Sequence, residues 1–98
     1  MLFRSGHVIR LTDEDGKEKI EIIDKSEKNS VVFDTAANTI TITSEKDIVL
    51  SASKGLIKLD AKNIEMKSSA DTKIESGAGM DVKASAAMKI KGQTVDIN

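Results

Sequence analysis

Apolar residues recur in pairs two positions apart from Ile40 onwards, and successive pairs begin seven to nine residues apart. Two positions after each pair except the last stands a Gly, Ala or Ser. Residues two apart share one face of a strand but lie roughly 200° apart around a helix. The pattern therefore predicts a repeat of one short β-strand and one corner. The residues expected to face a core are Ile40, Ile42, Ile48, Leu50, Ile57, Leu59, Ile64, Met66, Ile74, Met80, Val82, Met88 and Ile90.

A single strand of this length cannot fold alone and must stack on copies of itself. The stack can form within one chain, as a β-solenoid, or between several chains that wind around a common axis. Eight residues reach at most about 28 Å when extended, which is too short for a full solenoid coil. A single chain would need two or three repeats for each coil.

The charges between the apolar residues favour the winding of several chains. Glu65, Lys73, Asp81 and Lys89 alternate in sign from one repeat to the next. Stacking each repeat on the next one opposes unlike charges, which contributes roughly 0.2–1 kcal/mol per pair, whereas stacking on the second next opposes like charges. Three intertwined chains produce the favourable order, because each chain moves round one face per repeat. We therefore expect an all-β, homotrimeric, triangular β-helix, with a narrow core that suits a chain with no Trp or Tyr.

The first thirty residues have a different pattern. Residues 7–12 alternate with Ile9 and Leu11 on one face, residues 13–16 (DEDG) form a turn signal, and residues 19–24 alternate again. This order predicts a β-hairpin. Val31 and Phe33 are expected to form an irregular first copy of the repeat. The chain is thus divided into a hairpin region, residues 1–30, and a repetitive needle, residues 31–98.

Composition excludes several classes of function. The net charge is −1 with 32% charged residues, so there is no basic surface for nucleic acid. No cysteine is present for disulfides or thiolate metal sites. No apolar run resembles a signal peptide or a membrane span. We expect assembly in the cytoplasm and export by other machinery.

No set of residues predicts catalysis, so we expect no enzyme activity, metal or cofactor. His7 is the single histidine and is expected to be solvated or to cap a backbone group. The carboxylates are spread through the repeat as a solvated face. Gly77-Ala78-Gly79 lies within the repeat and opens no helix, so we expect a corner with positive φ rather than a phosphate loop.

The sequence resembles the C-terminal β-helical needle of VgrG proteins and of the cell-puncturing spikes of contractile phage tails and injection particles. The segments that carry the resemblance are SGHVIRL at 5–11, KIEIIDK at 19–25, NTITI at 38–42, IKLDAKNIE at 57–65, ADTKIE at 70–75 and IKGQTVDIN at 90–98. The family's needle is an intertwined trimer below an oligosaccharide-binding-fold domain. The chain has no such domain, no lysozyme domain and no His-x-His motif of the kind that holds iron in some phage spikes. We expect a needle segment of a larger protein, which contacts tube and baseplate proteins through domains that precede it.

The resemblance implies a mechanical function, in which a rigid shaft transmits the thrust of a contracting sheath through a target cell envelope. The blunt end of the family's needle receives a conical PAAR-repeat protein. That platform would consist of Thr94, Val95, Asp96, Ile97 and Asn98. One alternative is the shaft of an adhesin or tail fibre that binds a receptor, although no insertion breaks the repeat. Another is a polysaccharide-cleaving enzyme on a β-solenoid, which needs a carboxylate cluster on an open face.

Overall fold

The computed structural model describes residues 1–98, which form strands, turns and extended segments and no helix. The all-β class is therefore confirmed. The chain divides into two units, Met1–Leu59 and Asp60–Asn98. The first unit contains a four-stranded antiparallel sheet in the order β1-β2-β3-β4. Its strands are β1 (Val8–Thr12), β2 (Lys19–Ile23), β3 (Ser30–Asp34) and β4 (Thr39–Thr43). No helix long and apolar enough to cross a membrane is present.

The predicted hairpin of residues 7–24 is confirmed by the antiparallel pairing of β1 with β2. Ile9 lies opposite Ile22 and Leu11 opposite Ile20, so the alternating apolar residues of both strands share one face. Gly16 has a φ of 80° in the turn, where the N–H of Lys17 donates to the carbonyl of Glu14 at 2.8 Å. A glycine is favoured there because a Cβ disfavours a positive φ.

The expectation that Val31 and Phe33 form an irregular first copy of the repeat is wrong. They lie in β3, which pairs antiparallel with β4, so that Val31 faces Ile42 and Phe33 faces Ile40. The cause is a reversal of the chain after Asp34. The carboxylate of Asp34 accepts a hydrogen bond from the N–H of Ala37 at 3.1 Å, and Asn38 has a φ of 59°. The antiparallel sheet consequently extends past residue 30, to Thr43.

The turn between β2 and β3 is organised by the side chain of Asp24. Its carboxylate accepts hydrogen bonds from the Ser26 hydroxyl at 2.7 Å and from the Asn29 side-chain amide at 2.7 Å. Glu27 takes a φ of 65° between them. The Asn29 side chain also accepts a hydrogen bond from the N–H of Glu45 at 3.1 Å, which ties the segment after β4 to this turn.

The second unit repeats one local conformation without forming strand pairs. Extended segments alternate with bends at residues 62, 69–70, 77–78, 85–86 and 93–94. The same alternation begins in the first unit, with bends at 45–46 and a turn at 53–55. These positions agree with the corners that the sequence predicts. No backbone hydrogen bond joins residues 60–98 to one another.

The hydrogen bonds to Asp24 have a measurable consequence. The Asn29 and Ser26 side chains hold the pKa of the Asp24 carboxyl below its ordinary value, because they stabilise the charged form. The stability that this shift contributes is present above the unfolded-state pKa and is lost as the pH falls through the folded-state pKa. In an NMR titration of the carboxyl carbons, Asn29→Ala should raise the midpoint of Asp24 towards that of an ordinary aspartate. A midpoint that does not move would assign the shift to another group.

Candidate assembly surfaces and needle tip

One face of the four-stranded sheet is entirely apolar. The strand register aligns its side chains in two rows that run across all four strands. The rows are Ile9-Ile22-Val31-Ile42 and Leu11-Ile20-Phe33-Ile40. The opposite face is mixed: Val8, Ile23 and Val32 lie on it among polar and charged residues. On this face Arg10 lies opposite Glu21, with 3.4 Å between guanidinium and carboxylate. We call the two apolar rows the sheet face.

The sheet face is uncovered in the single chain. Leu11 is 73% exposed, and even Phe33 in the middle strands is 37% exposed. Monomeric proteins rarely leave a contiguous apolar patch of more than a few hundred Å² open to water. A sheet of this kind needs another layer to cover its apolar side.

The paired apolar residues that follow the sheet are also uncovered, and they show a regular pattern. From Ile48 onwards the first member of each apolar pair is 47–55% exposed. The second members are 66–73% exposed up to Ile90. The spacing of the pairs is nine and then seven residues around Ile57, so the sequence leaves Leu56 as an alternative inward residue. Leu56 is 80% exposed and Val49 is 81% exposed. Exposure therefore groups Ile57 with the first members of the other pairs, and Leu56 with Val49, which lies between the members of a pair.

No residue in the chain is buried, and the solvent-accessible surface is 10026 Å². A compact monomer of this mass exposes about 5,500 Å². Nearly half of the surface is thus in excess of what a chain of this size exposes when its apolar groups are packed. Every residue predicted for the trimer core is 47–73% exposed, so the single chain does not bring these residues together into a core.

The backbone of the extended segments is unpaired as well. In residues 47–98 the single backbone-to-backbone hydrogen bond joins the N–H of Gly55 to the carbonyl of Ala52, at 3.4 Å within one corner. Extended backbone normally pairs its N–H and C=O groups with a neighbouring strand. These segments therefore present both an apolar row and open strand edges.

Three corners are closed by a serine at the position that always holds a small residue. The hydroxyls of Ser44, Ser68 and Ser76 donate to the carbonyl three residues later, at 2.8, 2.9 and 2.6 Å. Such a bond satisfies one backbone acceptor and fixes the bend. At these three corners the small residue therefore also supplies a hydrogen-bond donor. The sequence pattern did not indicate this second role.

The expectation of positive φ at Gly77 and Gly79 is wrong. Positive φ occurs at Gly6 and Gly16 among the glycines, and the corner at Gly77 is closed by the Ser76 hydroxyl instead. At Gly92 the limit is space, because a Cβ would lie 3.1 Å from the carbonyl oxygen of Thr94. This close approach explains a glycine at the small position that precedes the expected tip.

The expected tip residues, 94–98, lie in a bend followed by an extended segment. Val95 is 48% exposed, as other first members are, while Ile97 is 87% exposed, the highest value among the large apolar residues. Asp96 lies between them and points to the other side of an extended backbone. The segment therefore offers apolar side chains on one face and a carboxylate on the other.

The outward charges are mostly unpaired within the chain. Of the alternating charges Glu65, Lys73, Asp81 and Lys89, Lys73 alone forms an ion pair, with Glu75 at 3.1 Å. Both partners are exposed, so this pair contributes little to stability. The remaining charges are free to oppose charges of another strand.

The candidate chemical groups are dispersed. The Nδ1 atom of His7 accepts a hydrogen bond from the N–H of Lys25 at 3.1 Å, which confirms the capping role expected for it. No three or more His, Cys, Asp or Glu side chains lie close enough together to hold a metal ion.

Six residues of the sheet face were not singled out as assembly residues by the sequence: Ile9, Leu11, Ile20, Ile22, Val31 and Phe33. Their spacing two apart on both sides of each turn was the available signal.

Comparison with known proteins adds no family to this description. No family model, no curated protein and no solved structure matches the chain.

The corner serines give a testable prediction. Ser68→Ala should lower the free energy of unfolding by about 0.5–1.5 kcal/mol per chain, because the Asp71 carbonyl loses its donor. Ser69→Ala is the matched control, since Ser69 adjoins the same corner and its hydroxyl forms no hydrogen bond. Urea unfolding followed by circular dichroism measures both. Equal losses in the two variants would show that the hydroxyl of Ser68 does not stabilise the corner.

Proposed function

We propose that the chain is the needle of a trimeric spike that a contractile injection system drives through a cell envelope. The observation that carries the proposal is the joint exposure of apolar pairs and unpaired strand edges along residues 47–98. A partner must cover the apolar pairs and form hydrogen bonds with the unpaired strand edges, and it must do both at a period of about eight residues. Two further copies of the chain meet both requirements.

The charge order supports parallel winding of three chains over stacking within one chain. In the trimer, each repeat lies beside the next repeat of a neighbouring chain, which places Asp81 beside Lys73 and Lys89. These charges have no ion-pair partner within 4 Å in their own chain, apart from the exposed pair of Lys73 with Glu75. Unlike charges directly opposite on neighbouring strands contribute roughly 0.2–1 kcal/mol each. The same order disfavours stacking of a repeat on the second next repeat, which would oppose like charges.

A needle of this construction suits mechanical work. A ladder that closes around its own axis has no lateral strand edge at which it can be peeled apart. The backbone hydrogen bonds along the shaft are then formed between chains, so no chain can leave without breaking many hydrogen bonds. The resemblance of six segments to the VgrG and phage-spike needle supports this use, and with it a location in an exported particle.

The tip of this needle would dock a PAAR-type cone. Three copies of residues 94–98 give a small triangular platform with apolar side chains at the centre and backbone groups at the rim. A cap that continues the β-ladder can bind such a surface by strand addition. The footprint is small, so affinity depends on three preorganised copies rather than on area. The support is the resemblance of residues 90–98 and the high exposure of Ile97.

The inward and outward positions predict opposite effects on assembly. Met80→Lys places three ammonium groups at the axis and should abolish the trimer at micromolar concentration, since buried unpaired charges are costly. Asp81→Lys changes an outward residue and should leave the trimer intact, with a loss of about 1 kcal/mol for each opposed pair. Multi-angle light scattering distinguishes the two.

A folded monomer of the unaltered chain at that concentration would refute the proposed trimer. Equal behaviour of the two variants would refute the assignment of inward and outward positions.

The tip assignment is tested by binding. Ile97→Asp should leave the trimer mass unchanged and remove co-elution with a PAAR-repeat protein, because it places charge at the centre of the platform. Asp96→Asn is the matched control, since it alters the outward neighbour and should retain binding. Binding retained in Ile97→Asp, and also after removal of residues 95–98, would place the partner elsewhere on the needle.

A further inference from the structure

The sheet face contains eight apolar residues and no charged one, and nothing in the single chain covers it. We propose that this face packs against the sheet faces of two further copies around the trimer axis, and that this contact fixes the register of the three chains in the needle. The inference rests on the proposed trimer. It assigns to the sheet a role that the repeat itself cannot perform.

The sheet face is continuous in sequence with the needle core. Ile40 and Ile42 belong to β4 and to the sheet face, and they are also the first regular pair of the repeat. The next pair, Ile48 and Leu50, follows at the same spacing as the later ones. If the apolar pairs of the repeat point to the trimer axis, the first pair does so too. Because Ile40 and Ile42 belong to the sheet face, that face then also points to the axis.

The opposite face of the sheet is suited to solvent rather than to this contact. It holds Lys19 and Asp34 at one end and the Arg10–Glu21 ion pair in the middle, with Val8, Ile23 and Val32 as its apolar residues. Burial of such groups against an identical surface costs free energy unless each finds a partner. Threefold packing through the apolar side leaves all of them in water. The charged residues of the sheet are thus confined to the face that would lie outside.

The needle repeat is too regular to define its own register. Its inward residues are interchangeable Ile, Leu, Met and Val at a nearly constant spacing. A slip of one chain by one repeat is opposed by the charges, because Glu65 then meets Asp81 or another copy of itself. A slip by two repeats places Glu65 beside Lys89, which are again unlike, although Lys67 then meets Lys91. The charges therefore reject the first error more strongly than the second.

The sheet face does not repeat, so it distinguishes the two-repeat slip. Adjacent strands lie about 4.8 Å apart, and a slip of two repeats moves one chain by about 10 Å along the axis. Because the two apolar rows run across the strands, that displacement moves one sheet face past its neighbours by about two of its four strands. The slipped chain would leave the apolar residues of about two strands uncovered on its own face and on each neighbour. In-register assembly covers all three faces.

Cysteine cross-linking tests the register, since the chain has no cysteine of its own. The in-register pair of substitutions is Asp81→Cys with Lys89→Cys, whose positions lie side by side in neighbouring chains when the register is correct. The slip-reporting pair is Glu65→Cys with Lys89→Cys, whose positions come within disulfide reach between chains after a two-repeat slip. With the sheet unaltered, we expect covalent oligomers from the in-register pair on a non-reducing gel and a background level from the slip-reporting pair.

The sheet face is then altered in both cysteine backgrounds. Phe33→Ser should raise the covalent product of the slip-reporting pair by about tenfold, because the face no longer penalises the slip. Val32→Ser is the matched control, as it changes the neighbouring residue of β3 on the opposite face. It should leave both products unchanged. Leu11→Ser provides a second alteration of the face at its most exposed position, where the strands of one chain depend on it least.

The outcomes separate this inference from the proposed trimer. Slipped products confined to the sheet-face variants support it, as does loss of all products from a face variant whose circular dichroism retains its strands. A background level of slipped product in both Phe33→Ser and Leu11→Ser, with the in-register product retained, overturns it and leaves the trimer standing. Absence of the in-register product from the chain with an unaltered sheet overturns the trimer itself.

Discussion

Unpaired backbone in extended conformation is the constraint on which the rest of this protein depends. Residues 47–98 run as short extended segments, and their N–H and C=O groups find almost no partner within the chain. Each segment also carries two apolar side chains on one face. Water can satisfy the polar groups of a lone chain, but not the apolar ones. A second strand edge that also covers the apolar row satisfies both, which is why we place other copies of the chain there.

The corners and the sheet prepare the chain for that assembly in different ways. The hydroxyls of Ser44, Ser68 and Ser76 fix bends locally, so the extended segments keep their period without help from a partner. The sheet forms its own hydrogen bonds within one chain but leaves its apolar face open. Local contacts of this kind form faster than contacts between distant residues or chains. In the proposed trimer, the folded sheet would supply a preorganised surface before the three chains wind together.

The sequence allowed the hairpin of β1 and β2 to be predicted, because alternation on both sides of a turn ending in Gly16 has one simple structural interpretation. The pairing of β3 with β4 could not be separated from a repeat by spacing alone. Val31 and Ile40 begin similar apolar pairs nine residues apart, which suits either a hairpin or a corner. The reversal depends on the Asp34 carboxylate and on the left-handed conformation of Asn38, which are local features of the turn.

The regular spacing of the repeat allows its corners to be predicted from the sequence. The same regularity prevents the register between chains from being predicted, because successive repeats are alike. A period of about eight residues with a small residue at a fixed offset predicts bends near 69, 77, 85 and 93, where they occur. The hydroxyl bonds at the serine corners require atomic distances, since Ala52 and Ala84 occupy the same position without them. The inward direction of the apolar pairs is defined only relative to the axis of three chains. The sequence pattern of one chain can therefore predict this direction, but the structure of one chain cannot show it.

Amide hydrogen exchange of the full chain is the most direct test of this account. If residues 47–98 pair with other copies, their amides should exchange as slowly as those of β2 and β3, and peptides such as 63–68 and 79–84 should retain protection for hours. Protection should fall together along the whole needle in Met80→Lys. Exchange of residues 47–98 at the rate of an unstructured chain, with β2 and β3 still protected, would contradict the claim that other copies of the chain complete the backbone pairing.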